Sequence, residues 1–135
     1  MSGEVSPGDA GWVPHRLHGG QGEVRVRWPF VDTTELPVMV HQWELDPGTS
    51  EGVHRHGEER PLEELYLVTA GTATMRLGEV DHELGPGDAL RAPAGVPHDL
   101  RNTGPDVLRV VVVVGEPAPT DFSWSVLDGP ARRAR

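Results

Sequence analysis

The chain cannot run straight for long. Gly and Pro, 17 and 13 of 135 residues, interrupt its apolar alternation at short intervals, and no stretch keeps helical periodicity long enough to build an amphipathic helix. What lies between the interruptions reads as short strands. Residues 24–28 alternate, and 38–45 form a longer run closed by the turn Asp46-Pro47-Gly48. Stretches 53–56, 64–69, 72–77, 82–84, 89–92, 98–101 and 107–114 follow, with Gly71, Gly78 and Gly85-Pro86-Gly87-Asp88 between them. The last run is continuously apolar after Arg109, which predicts a central strand buried on both sides. Many short antiparallel strands with regular turns predict an all-β sandwich or barrel.

The length fits one domain with one core. We divide the chain into an N-terminal arm over 1–12, rich in Gly, Ser and Pro and expected to be mobile, one barrel over 13–127, and a tail over 128–135. Arg132, Arg133 and Arg135 in that tail read as solvated charge. A formal charge of −9 argues against a nucleic-acid partner. No apolar run is long enough for a membrane span, and residues 1–10 have neither the basic start nor the apolar centre of a secretory leader. The absence of cysteine excludes disulfides, thiolate ligands and a Cys nucleophile, and fits the cytoplasmic location we expect.

The chemistry concentrates in His54, His56, Glu64 and His98. On an extended strand residues i and i+2 face one side, so the first two rings can enter one cavity. Three neutral imidazoles and a carboxylate suit one divalent transition metal, with Fe, Mn, Zn and Ni all open, and leave coordination positions free. His98 is approached through Pro93, Gly95 and Pro97, a stiff lead-in that aims its ring.

These residues fall in two blocks. Gly48, five residues, His54, Arg55, His56, then Glu64, six residues and Gly71 make the first. Gly87, five residues, Pro93, Ala94, Gly95, two residues, His98, three residues and Asn102 make the second. Over about 36–115, with core motifs at 48–71 and 87–102, the chain resembles the cupins, small jelly-roll β-barrels with a metal at the centre. The first block departs once: the family usually has three or four residues between the second His and the Glu, and here 57–63 intervene. Glu64 is preferred over Glu63 by its distance to Gly71 and by its shared strand face with Tyr66 and Val68. The insertion reads equally as a lid or as a solvated loop.

Tyr66 and His41 are the candidates for catalytic work beside the metal. Met39, Trp43 and Arg91 are further pocket candidates, though parity leaves open which face of 38–45 lines the barrel. Asn102 is expected to tie a turn or strand end, and His15, His18 and His82 to lie on the surface. The resemblance implies a small-molecule substrate and three reactions: oxidation with dioxygen, decarboxylation, and Lewis-acid isomerisation or cyclisation. The fold does not choose among them, and a non-catalytic metal-binding or structural cupin is the alternative. A homodimer is also expected. Met39, Trp43, Leu45, Val24, Val26, Trp28 and the run 110–114 offer more apolar surface than one small barrel easily buries, and the resemblance implies pairing through outer sheet faces.

Overall fold

The computed structural model describes residues 4–57 and 59–117. Nine strands follow in chain order: β1 (Val13–His15), β2 (Val24–Arg27), β3 (Met39–Leu45), β4 (Glu63–Ala70), β5 (Ala73–Leu77), β6 (Val80–Leu84), β7 (Ala89–Ala92), β8 (His98–Asn102) and β9 (Leu108–Gly115). Among the described residues there is no helix, so none is long and apolar enough to cross a membrane. The strands form two antiparallel sheets, β1-β2-β3-β9-β4-β7 and β6-β5-β8. Their inward side chains merge into one core that includes Val24, Leu45, Tyr66, Met75, Leu100 and Leu108. The fold is the all-β jelly-roll barrel: the turn pattern leaves sandwich and barrel open, and the cupin resemblance implies this barrel.

Eight strands lie where the alternation puts them, and β1 is the addition. Its three residues, Val13-Pro14-His15, pair with β2 at the sheet edge. They are too few to alternate, and a proline is tolerated there because an edge strand leaves one row of amides unpaired. The stretch 53–56 does not become a strand. It touches β8 through a single bridge, His54 to His98, and the His56 carbonyl then accepts the Gly95 amide at 2.6 Å, turning the chain away. Strand β9 is central, between β3 and β4. Only its inner residues Leu108, Val110 and Val112 are buried, while Val111 and Val113 are half-buried, so it is not covered on both sides within one chain.

From Ser6 onward the N-terminal segment, read as a mobile arm, lies against the barrel. The buried Arg27 guanidinium donates to the carbonyls of Ser6, Pro7 and Ala10 and to the Ser6 hydroxyl. It also stands 6.0 Å over the Trp12 ring. The expected tail 128–135 lies outside the described residues.

Candidate metal centre

The site forms where the 50–54 segment, β4 and β8 meet. His54 and His98 face each other through reciprocal backbone bonds, His54 N to His98 O at 3.1 Å and His98 N to His54 O at 2.9 Å. Each ring is oriented by its Nδ1 against a carbonyl two residues back, Gly52 at 3.1 Å for His54 and Val96 at 3.0 Å for His98. With Nδ1 engaged, both Nε2 atoms point inward. Such contacts fix the tautomer a metal ligand needs.

Glu64 reaches the same point from β4. Its Oε1 lies 2.7 Å from His56 Nε2 and 3.7 Å from His54 Nε2, and its Oε2 lies 3.4 Å from His98 Nε2. Ligand atoms about 2.1 Å from a common ion would be separated by roughly these distances. His98 Nε2 is buried and has no hydrogen-bond partner, an orphaned lone pair that a bound cation would satisfy. The donor set therefore fits a divalent metal. Glu63 points the other way, accepting from Arg91 Nη1 at 3.2 Å. The four residues singled out in the sequence thus converge, and the enlarged gap before Glu64 does not disturb the register.

Burial alone would raise the Glu64 pKa. The close imidazoles of His54 and His98 and the hydrogen bond from Tyr66 outweigh it, so the carboxyl is held below its usual range. Burial likewise works against a charged His98, but its contact with Glu64 prevails and raises its pKa.

Tyr66 is fully buried. Its hydroxyl donates to Glu64 Oε2 and also lies 3.1 and 3.3 Å from the two carboxyl oxygens of Glu51. Burial, reinforced by these two carboxyls, pushes its pKa well up, so it stays a proton-bearing donor. His41 shares the inner row with Tyr66, since both pair with Val112 of β9. Trp43 Nε1 donates to His41 Nδ1 at 3.3 Å, Trp28 meets the ring edge-on at 5.4 Å, and His41 Nε2 is buried without a partner. Burial lowers its pKa. The inner face of β3 is thereby settled as the one carrying His41, Trp43 and Leu45.

Two pocket candidates do not join the site. Arg91 pairs with Leu65 on the outer face, because it directly precedes the inward Ala92 and successive strand residues face opposite sides. Met39 is 46% exposed at the end of β3. Asn102 does tie the chain: its Nδ2 donates to the carbonyls of Leu45 and Asp106, each at 2.8 Å, and its Oδ1 accepts the Gly104 amide.

Two residues near the centre escaped the sequence reading. His18, expected to be a plain surface residue, stacks on His54 with ring centroids 3.7 Å apart and planes 13° from parallel. Its pKa falls to about 4, chiefly through burial and then through the neighbouring histidines. It is carried there because the chain at Gly20 packs so closely on Ser50 to Gly52 that a Cβ would lie 2.2 Å from the Ser50 carbonyl oxygen. The second is Glu51, wholly buried and accepting the Leu100 amide at 3.0 Å. Burial, then the charge of Glu64, raise its pKa well above the usual range.

The Cupin_2 family, described as a cupin domain, matches residues 41–114, a span that holds His41 and all four converging residues. The chain belongs to this cupin family. It is 31% identical over 83 residues to the uncharacterized protein SCO3923 of Streptomyces coelicolor, covering 62% of this chain and 74% of that one. Among solved structures, it is similar to a predicted oxalate decarboxylase of Thermotoga maritima, with a TM-score of 0.76, 22% identity, and 84% and 98% of the two chains covered. It is also similar to the polyketide cyclase RemF of Streptomyces resistomycificus, with a TM-score of 0.70, 22% identity, and 90% and 89% covered. At that identity the two structures speak to the fold alone.

Proposed function

We propose that His54, His56, Glu64 and His98 hold one divalent transition metal, and that the protein is an enzyme acting on a small oxygenated organic substrate. The observation that carries this is the convergence of three imidazole nitrogens on one buried carboxylate, with two of the rings oriented from behind by backbone carbonyls. When bound, the metal would act as a Lewis acid toward substrate oxygen or as the site of dioxygen chemistry.

The protein's own groups supply the rest. The His56 side chain is 28% exposed, so the centre opens to solvent on that side and a substrate has a way in. A metal serving stability alone has no need of such an opening. Tyr66 keeps its proton and holds Glu64 by one oxygen, leaving the other for the metal. His41 presents an unpartnered Nε2 to the interior, suited to a hydrogen bond with substrate. Trp28 and Trp43 flank that ring and provide apolar walls. Two proteins that share this fold, a predicted oxalate decarboxylase and a polyketide cyclase, bear names that concern oxygen-rich small molecules.

Elemental analysis of protein purified without added metal, followed by oxygen-uptake assays, tests the proposal. A stoichiometric transition metal is expected; iron with oxygen uptake selects oxidation, and manganese or zinc without it selects the Lewis-acid reactions. Protein that stays metal-free after incubation with each of Fe, Mn, Zn and Ni would sink the reading.

We further propose that two copies pair through the outer face of β3, β9 and β4. Most of the residues that prompted the expectation of a dimer, namely Trp43, Leu45, Val24, Val26, Val110 and Val112, are spent in the core. A different apolar row remains outside: Val40 beside Val113 beside Leu65, with Val111 beside Leu67. Val40, Leu65 and Leu67 are each more than one-third exposed. A self-complementary patch of this kind suits a two-fold pair, and a monomeric mass by light scattering would refute it.

A further inference from the structure

We propose that Glu51 is a second carboxylate ligand of the metal centre. The proposal rests on the reading of that centre as a metal site and enlarges its ligand set. Glu51, His54 and His98 place ligand atoms within 4.8 Å of one another, as do His54, His56 and Glu64, and the two sets meet at His54. His98 of the first set also lies 3.4 Å from Glu64 of the second, so the second carboxylate borders the same centre.

The backbone delivers Glu51 to that position. Its amide donates to the Leu100 carbonyl at 2.9 Å, on the strand that carries His98. The next residue, Gly52, has φ +95°, in the left-handed region, and its amide donates to Asp99 Oδ1 at 3.0 Å. This bend breaks the strand alternation, so Glu51 enters the same interior as His54 three positions later.

Charge supplies the reason. A fully buried carboxyl is costly in its ionised form unless a cation or a metal compensates it, and otherwise keeps its proton; the partners of Glu51 are a neutral amide and a neutral phenol, so a bound metal is what would draw that proton off. Glu64 stands on the other side of the same phenol. Two carboxylates, three neutral imidazoles and one divalent cation sum to zero net charge, whereas Glu64 alone would leave the buried centre positive.

The test uses the whole chain and Co2+ as the probe, read by its visible absorption bands and by competition with a chelator. Glu51→Gln keeps the shape and the Leu100 bond. It is expected to weaken Co2+ binding by about tenfold or more and to shift the bands. The same change in a Tyr66→Phe background separates ligation from positioning. A direct ligand loses affinity equally in both backgrounds. An effect that vanishes with Tyr66→Phe means that Glu51 acts only through Tyr66 and Glu64, and overturns the proposal, as does a Glu51→Gln variant that binds like wild type. If Glu51→Gln fails to fold, the infrared difference between Co2+-loaded and metal-free wild type decides. Two perturbed carboxyl groups support the proposal, and one overturns it. Wild-type protein that takes up no Co2+ sinks the metal centre itself, a result distinct from either failure above.

Discussion

Strand β4 is inverted relative to an ordinary half-buried strand. Its inner face carries Glu64, Tyr66 and Val68, all buried, while its outer face carries Leu65 and Leu67, about 40% and 39% exposed. Hydropathy by itself would turn the strand over and bury the two leucines. The inversion is maintained because the polar inner groups satisfy one another and because the leucines continue a cross-strand apolar row with β9 and β3. A strand that hides acid and shows leucine suits the proposed metal site on its inner face and the proposed pairing on its outer one.

The largest effect should follow from emptying the inner face. His54→Ala/His98→Ala removes both histidines of the reciprocal bridge, and metal content is expected to fall to background while far-UV circular dichroism keeps its β signature. Metal retained in the double variant refutes the assignment. Next comes the contrast between neighbours. Glu64→Gln preserves size but removes the charge, and should weaken metal binding by about tenfold or more. Glu63→Gln breaks only a surface contact with Arg91, and should shift stability by less than about 0.5 kcal/mol. Reversal of that order, measured by metal titration and thermal melts, would mean that β4 presents its other face.

The outer face calls for a change that the inner face ignores. Leu65→Lys should convert a dimer to monomer in light scattering at tens of micromolar without altering metal content. A variant that loses metal instead would couple the two faces. The smallest effect lies far from both. Arg25 donates to Asp46 at 3.0 and 3.1 Å, and this bond, with the Arg25 charge, lowers the Asp46 pKa. A lowered carboxyl contributes stability above its ordinary value near 4 and loses it as pH falls through the folded value. Arg25→Gln should therefore cost a little at neutral pH and nothing in strong acid. The pair is exposed and screened, so parallel melting curves down to pH 2 would show that it contributes nothing.

How far the sequence could be read depends on locality. Strand β7 is legible to the residue, because Gly85-Pro86-Gly87-Asp88 precedes it and Pro93 ends it. The four converging residues are legible because spacing within each block encodes which side of a strand they face. Glu51 was hidden by the same logic: counting by twos from His54 puts it on the wrong face, and only the left-handed Gly52 reverses that. His18 was hidden differently. Its place over His54 depends on Gly20 crossing Ser50 to Gly52, a contact between distant segments that no local pattern announces. Arg91 and Met39 were misplaced because one is a residue out of phase with the inner face and the other lies past the covered end of β3.

The clasp between Arg27 and the N-terminal segment has a consequence of another kind. Four of the bonds that the guanidinium donates end on Ser6, Pro7 and Ala10, none of them on a carboxylate, so the arm acts as the solvation shell of a buried cation. Peptide carbonyls have taken the place of water molecules, tethered in order along the chain. The barrel and the segment from Ser6 to Trp12 are in effect receptor and ligand made as one molecule, with the strand β1 as the link that keeps them at high local concentration.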